Sequence, residues 1–254
     1  MQEQNKTLKS APEPLVPTCR VFFAELLKSD FIIKESEETI LITPTCAKCN
    51  RLFAVGEVKE VEKRGNVTKI KINDLTATLN VYTDKVLELD KFMAFVGNLH
   101  VRKDARKSKG VLILVEAAGT VEESVRNNWI INTARRTMER IGLLRSKKLE
   151  KAFYEGTLKE ALEHYAIDDD KLDFWEDMTI NTVKSVWKDY SKTSEEMVLA
   201  VLEEGGGSGV GRILLVQELK KKGLTEEWVE EVIDELIGEG RCYEPEVGVL
   251  KLVD

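Results

Sequence analysis

The chain has 254 residues, of which 43% are hydrophobic and 33% charged, and its formal net charge is -7. This length predicts one or two domains with a core that needs no metal or disulfide to fold. No apolar run approaches the roughly 20 residues that span a bilayer, and the N-terminal residues lack the apolar stretch of a signal peptide. Composition therefore excludes membrane, secreted, fibrous and wholly disordered proteins. Four cysteines without a secretory signal favour a reducing compartment, so we expect a cytoplasmic protein with no membrane partner.

Charge is distributed unevenly along the chain. Residues 19–118 carry 17 Lys and Arg against 14 Asp and Glu, whereas residues 191–254 carry 7 against 15. A basic first half and an acidic second half indicate a nucleic-acid partner at one end and a different partner at the other. The alternative is a surface that carries many solvated charges of both signs.

Residues 1–18 are polar and proline-rich, which predicts a disordered N-terminal lead. Residues 19–120 predict five main strands that close into a small, partly open barrel, because alternating segments are separated by turns. Gly56 and Gly97 lie inside strands and indicate sharp bends. Residues 102–110 form a basic loop before the last strand, in which residues 111–115 are all apolar.

Residues 121–146 change to a helical period and predict one long helix with two apolar faces. One face is expected to lie on the barrel. The other is expected to contact another subunit, or to be covered by downstream helices of the same chain. The candidate subunit-interface residues are Val125, Trp129, Ile130, Ala134, Met138 and Ile141.

The C-terminal part predicts two further segments. Residues 147–191 are expected to form an acidic linker of short helices. Residues 192–254 are expected to form a winged helix: a first helix at about 194–203, a glycine-rich turn, a second helix ending near Lys222, a third capped by Thr225, and a hairpin. The predicted fold is thus mostly β plus α, with a barrel, a long helix, an acidic linker and a winged helix.

Several segments resemble a known family. Residues 51–58 (Arg-Leu-Phe-Ala-Val-Gly-Glu-Val), 71–82 and 95–97 resemble the oligonucleotide-binding (OB) fold of the middle subunit of replication protein A. Residues 240–250 are similar to the C-terminal winged helix of that subunit in archaea. A paralogous archaeal family of replication-protein-A-associated proteins has the same layout. The order of the segments is a stronger signal than any one motif.

The resemblance implies a subunit of a complex that binds single-stranded DNA in replication, repair and recombination. It implies assembly with larger and smaller OB-fold subunits through the helix after the barrel. It also implies recruitment of replication or repair proteins through the winged helix. An alternative is an interaction adaptor that associates with such a complex and does not itself bind DNA.

Binding of a single strand without sequence preference needs cations along the phosphates and aromatic rings on which bases stack. Tyr82 lies on the polar side of its strand and is the candidate stacking residue. The family usually has a second aromatic residue on the last strand, which residues 111–115 lack, so we expect weak binding by this chain alone. The candidate cations are Arg51, Lys59, Lys69, Lys71, Arg102, Lys103, Arg106, Lys107 and Lys109.

The predicted third helix of the C-terminal unit is acidic and contains no Lys or Arg. Such a helix would be repelled by the phosphates of a DNA groove. A protein partner with a basic face is the better prediction. The candidate contact residues are Glu227, Glu230, Glu231 and Asp234.

Other motifs do not predict chemistry. Cys46-x-x-Cys49 has the spacing of a zinc knuckle, but a structural zinc site needs four ligands. The glycine-rich segment 205–211 lacks the Lys-Ser/Thr end of a phosphate-binding loop. A nuclease that uses the carboxylates of residues 168–177 with a metal is disfavoured because they show no paired spacing. We therefore expect a protein that is not an enzyme and has no metal or cofactor.

Overall fold

The computed structural model describes residues 17–35, 38–102, 110–146 and 156–253. The predicted N-terminal lead therefore lies almost wholly outside the described residues, as does most of the basic loop. Within the described residues no helix is both long enough and apolar enough to cross a membrane.

The chain begins with a short helix and a small antiparallel sheet. Helix α1 (Phe23–Leu27) is followed by strands β1 (Phe31–Glu35), β2 (Glu38–Ile42) and β3 (Lys48–Cys49). The three strands pair in the order β1-β2-β3, with Phe31 opposite Ile42. This sheet stands outside the barrel.

Five strands then close into a barrel, as predicted. They are β4 (Arg51–Arg64), β5 (Val67–Asn73), β6 (Thr78–Thr83), β7 (Phe92–Arg102) and β8 (Gly110–Thr120). The strands pair in the closed order β4-β5-β6-β8-β7, and β6 and β8 are parallel while the other pairs are antiparallel. The interior is filled by alternate residues of each strand, among them Ile70, Ile72, Val81 and Ile113.

Two glycines allow the close approach of neighbouring strands. A Cβ atom on Gly56 would lie 2.6 Å from the backbone oxygen of Asn73, and one on Gly97 would lie 2.8 Å from that of Leu114. The pairing register shifts between Val96 and Gly97, so the bend predicted there is a β-bulge. Any larger residue at either position would force the strands apart.

Asp74 joins the turn between β5 and β6 to α1. Its carboxylate is fully buried and accepts hydrogen bonds from the backbone N–H groups of Phe23, Thr76 and Ala77 and from the Thr76 hydroxyl. Burial is the largest influence on the carboxyl and raises its pKa above the ordinary value in spite of these donors.

Helix α2 (Glu123–Arg145) follows the barrel, as predicted, and packs against a second long helix. This partner, α4 (Asp169–Gly205), has 37 residues, so the prediction of several short helices in this region was wrong. Its buried stripe includes Thr179, Thr182 and Ser194, whose hydroxyls donate to backbone oxygens four residues earlier. These residues look polar in the sequence, yet their hydrogen bonds are satisfied within the helix and they can be buried.

The other helix that the structure describes in the acidic segment is α3 (Thr157–Tyr165), which lies on the N-terminal sheet. The Tyr165 hydroxyl accepts from the backbone N–H groups of Asp30 and Phe31 and donates to the carbonyl of Ile42. The side chain therefore satisfies three backbone groups of the sheet at once.

The C-terminal unit consists of the end of α4, strand β9 (Val210–Gly211), helices α5 (Arg212–Lys221) and α6 (Glu226–Gly238), and strands β10 (Cys242–Glu246) and β11 (Val249–Leu252). Its sheet has the order β10-β11-β9. The Thr225 hydroxyl caps α6 by accepting from the N–H of Trp228, as predicted. The predicted boundary between residues 191 and 192 falls inside α4.

Two of the four cysteines are bonded to each other, which a reducing compartment does not favour. Cys19 and Cys49 form a disulfide, with Cα atoms 5.4 Å apart, while Cys46 and Cys242 are free. Residues far apart in sequence meet because Cys19 pairs alongside β4, donating to the carbonyl of Arg51 and accepting from the N–H of Phe53. The sequence spacing of Cys46 and Cys49 gave no sign of this partner.

Candidate nucleic-acid interface

The outer surface of β5 and β6 brings together three of the predicted binding residues. Lys69 lies opposite Tyr82 and Lys71 lies opposite Asn80 in the antiparallel register. Directly opposed residues on one face have Cβ atoms about 5 Å apart. The predicted alternation therefore places two ammonium groups beside a tyrosine ring on one surface.

Leu114 extends this surface on β8. It is opposite Tyr82 in the parallel register, and 41% of its surface is exposed, whereas its neighbours Ile113 and Val115 point into the barrel. We call the surface formed by Lys69, Lys71, Tyr82 and Leu114 the barrel face. The sequence did not reveal Leu114, because a run of five apolar residues shows no alternation from which to read direction.

The two lysines of this surface are paired with carboxylates. Lys71 forms an ion pair with Glu60, and the ammonium of Lys69 lies 3.7 Å from Glu62. The hydrogen bond that Lys71 donates to Glu60 raises the pKa of Lys71, and the one that Arg64 donates to Glu62 lowers the pKa of Glu62. The two glutamates lie opposite the lysines across the β4–β5 pair. The barrel face is therefore much closer to neutral than its lysines suggest.

The other predicted cations are placed differently. Arg51 lies on β4, across β8 from the barrel face, and its guanidinium is 2.5 Å from the carboxylate of Glu116. Lys59 occupies the β-bulge of β4 and is 2.6 Å from Glu57, outside the row on β5. Arg102 ends β7. The remaining predicted cations lie outside the described residues: Lys103, Arg106, Lys107 and Lys109.

Most of the predicted subunit interface is buried inside this chain. Trp129 donates to the carbonyl of Phe53 on the barrel, and Ile141 packs with Leu172 and Trp175 of α4. The structure therefore agrees with the second of the two predictions, in which a downstream helix of the same chain covers α2. Val125 remains exposed and Met138 is half-buried, while four of the six side chains are buried: Trp129, Ile130, Ala134 and Ile141.

The predicted acidic contact residues on α6 divide into two groups. Glu230 and Asp234 bind the guanidinium of Arg212, at 2.5 and 2.7 Å. Glu227 and Glu231 are exposed, and no ion pair to them occurs among the described residues. Beside Arg212, on the first turn of α5, two apolar residues that sequence analysis missed are largely exposed: Ile213 and Leu214.

Within the described part of the chain, no group of three or more His, Cys, Asp or Glu residues is arranged to hold a metal ion. Asp168, the first carboxylate of the acidic run, caps α4 by accepting from the N–H of Lys171. Its neighbours Asp169 and Asp170 lie in the first turn of the same helix, where carboxylates stabilise the helix dipole.

The strand order and the parallel β6–β8 pair define an OB-like barrel with additional helices. No protein-family model and no curated protein sequence matches the chain. A solved replication protein A heterotrimer bound to ssDNA contains a similar chain, with 13% identity and a TM-score of 0.39 over 49% of this chain and 98% of that one. A chain of the S. pombe Stn1-ten1 complex has 9% identity and a TM-score of 0.38 over 49% and 93%. The aspartyl tRNA synthetase from Entamoeba histolytica has 10% identity and a TM-score of 0.24 over 80% and 44%.

Proposed function

We propose that the chain binds single-stranded DNA through the barrel face, as a non-enzymatic subunit of a replication-protein-A-like complex in replication, repair and recombination. The observation that carries the proposal is the row of Lys69, Tyr82 and Leu114. A base stacks on the tyrosine ring and the leucine side chain while the lysine contacts the neighbouring phosphate.

Binding by this chain alone is weak, for two physical reasons. Only one aromatic side chain lies in the row, so few bases are stacked. Glu60 and Glu62 also compete with phosphates for the two lysines. The predicted cations outside the described residues, Lys103, Arg106, Lys107 and Lys109, are proposed to provide further phosphate contacts.

The test replaces Tyr82 with alanine and measures the anisotropy of a labelled oligothymidylate. Base stacking contributes about 1–3 kcal/mol per base, so Tyr82→Ala raises Kd by about 5- to 150-fold. Tyr243→Ala is the matched control, because Tyr243 is an exposed tyrosine on the C-terminal unit. Equal losses from both variants, or no loss from Tyr82→Ala, contradict the proposal.

The paired lysines favour one alternative function, an adaptor that does not bind DNA. In that case the wild-type chain shows no binding to the oligonucleotide even at low salt, where phosphate contacts are strongest. It still co-purifies with its complex. Measurable binding that Tyr82→Ala weakens excludes the adaptor.

We further propose that residues 19–120 act as a binding barrel, residues 121–146 as an assembly helix and the C-terminal unit as a winged helix, in a cytoplasmic protein. Since α4 covers much of α2, including the side around Met138, assembly with other OB-fold subunits uses the exposed surface around Val125 or displaces α4. Co-purification of the wild-type chain from its native source identifies these subunits. A chain recovered alone contradicts the assembly role.

The C-terminal unit is proposed to recruit a replication or repair protein with a basic face. Glu227 and Glu231 provide charge, and Ile213 and Leu214 provide an adjacent apolar contact, which together suit a basic amphipathic segment. Ile213→Glu combined with Leu214→Glu removes the contact without touching the core of the unit. Unchanged recovery of partners by this variant contradicts the assignment.

A further inference from the structure

A groove lies at the end of the barrel, beside the hairpin that joins β4 and β5. Its volume is about 420 Å³, within the range of about 300–1,000 Å³ that is typical of small-ligand sites. The β4–β5 hairpin forms one wall and the segment between β6 and β7 forms the other. The lining residues that matter for binding are Val61, Lys63, Asn66, Thr68, Asp84, Lys85, Leu87 and Leu89.

Strand alternation puts this groove and the barrel face on opposite sides of one hairpin. Glu62 pairs with Lys69 on the outer side, while Val61 pairs with Ile70 and Lys63 with Thr68 on the inner side. Near the tip, the inner side has no barrel interior to cover it. Val61 is consequently 50% exposed, although its partner Ile70 is fully buried.

The opposite wall, residues 84–91, contains no helix but is held in place by hydrogen bonds. The Thr83 hydroxyl accepts from the N–H of Lys85, the Thr120 hydroxyl donates to the carbonyl of Glu88, and the carbonyl of Lys91 accepts from Val58. The groove is therefore formed before any ligand arrives, which lowers the entropic cost of binding.

The lining combines apolar, polar and cationic groups. Val61, Leu87 and Leu89 provide an apolar floor. The ammonium of Lys85 is anchored to the carbonyl of Glu116. Lys63 is exposed and, among the described residues, has no ion pair, unlike the lysines of the barrel face.

These groups match the parts of a nucleotide. A base fits against the apolar floor. Its amino and ring N–H groups donate hydrogen bonds to the Asp84 carboxylate and to the side-chain oxygens of Asn66 and Thr68. A phosphate is attracted by Lys63 and Lys85. We propose that the groove is a nucleotide-binding subsite, occupied either by a nucleotide of the strand on the barrel face or by a free mononucleotide.

The subsite is continuous with the barrel face, and in its strand-bound form it rests on the proposed function. Tyr82, on the barrel face, is followed directly by Thr83 and Asp84, which lead into the groove. Thr68 and Lys69 are likewise neighbours on β5, one facing each side. A strand that stacks on Tyr82 and passes the hairpin turn at Gly65 therefore meets the groove next.

The test is a titration of the full isotopically labelled chain, followed by NMR, with deoxynucleoside monophosphates and, separately, with oligothymidylates of increasing length. The monophosphates shift the signals of Val61, Thr68 and Leu87. Lys63→Ala weakens this binding by about two- to fivefold, as expected for one exposed ion pair. Lys34→Ala, which removes an exposed lysine from β1, is the matched control and leaves binding unchanged.

The two ligands separate the possible results. Groove shifts with a long oligonucleotide but not with monophosphates assign the subsite to the bound strand, and shifts with monophosphates alone assign it to a free nucleotide while the barrel-face proposal fails. Shifts at Tyr82 and Leu114 only, for every ligand, overturn the subsite and leave the proposed function standing. An absence of shifts with every ligand overturns both.

Discussion

Removing Glu60 and Glu62 is expected to strengthen DNA binding, which is the reverse of what most substitutions in a binding site do. Each glutamate pairs with a lysine of the barrel face in the free chain. In the wild type, a phosphate that takes one of these lysines leaves a carboxylate unpaired, so little net counterion release results. Glu60→Gln with Glu62→Gln frees both lysines while keeping side-chain size.

The magnitude follows from counting contacts. Each phosphate neutralised on a single strand steepens the dependence of log K on log salt by about 0.7, so two freed lysines steepen the slope by about 1.4. The assay is fluorescence anisotropy with a labelled oligothymidylate between about 50 and 200 mM salt, the range over which such contacts are lost. Affinity rises most at the low-salt end.

Glu35→Gln is the control, because Glu35 is an exposed glutamate paired with Lys48 on the N-terminal sheet. It changes net charge in the same direction as each test substitution but far from the barrel face. A slope that stays at the wild-type value in the double variant, or that rises equally in the control, refutes the reasoning that these carboxylates compete with phosphate.

Three stability predictions follow from the fold. Reducing the Cys19–Cys49 disulfide, which closes a loop with a sequence separation of 30, lowers the free energy of unfolding by about 3–4 kcal/mol in urea titrations, and a Cys19→Ser, Cys49→Ser chain is insensitive to reductant. Trp129→Ala costs about 3–5 kcal/mol in the same assay, because it empties a buried site against Phe22, Phe23 and the barrel, whereas Val125→Ala costs less than about 1 kcal/mol. Because the pKa of Asp74 is raised in the folded state, the carboxyl binds its proton more tightly in the folded chain than in the unfolded one. The free energy of unfolding therefore falls as pH rises from the unfolded pKa of about 3.9 through the folded pKa. Asp74→Asn lacks this decline, and identical pH profiles of the two chains contradict a raised pKa at Asp74.

The barrel was predictable because its strands alternate. Lys69 to Ile72 and Leu79 to Tyr82 each show a period of two, and Gly97 marked a real bend. The long helix α4 was not predictable in one piece. Its buried stripe contains threonine and serine, and a reading based on apolar spacing breaks wherever they occur.

The electrostatics of the candidate site depend on register, which local sequence does not specify. Glu60 and Glu62 meet the lysines only because a β-bulge between Val58 and Glu60 shifts the pairing of β4 with β5. Leu114 faces outward because of the parallel pairing of β8 with β6, a contact between segments more than thirty residues apart. The pattern of polar and apolar residues along one strand predicts which residues point outward. It does not predict which side chain of another strand lies beside them.

Helix α4 has a mechanical consequence. At 1.5 Å per residue its 37 residues span about 55 Å, and they pack on the barrel side through Val186 and in the C-terminal unit through Val198 and Leu202. One unbroken rod thus belongs to both ends of the molecule. A protein bound by the C-terminal unit would therefore be held at a fixed distance and orientation relative to the barrel, and not on a flexible tether.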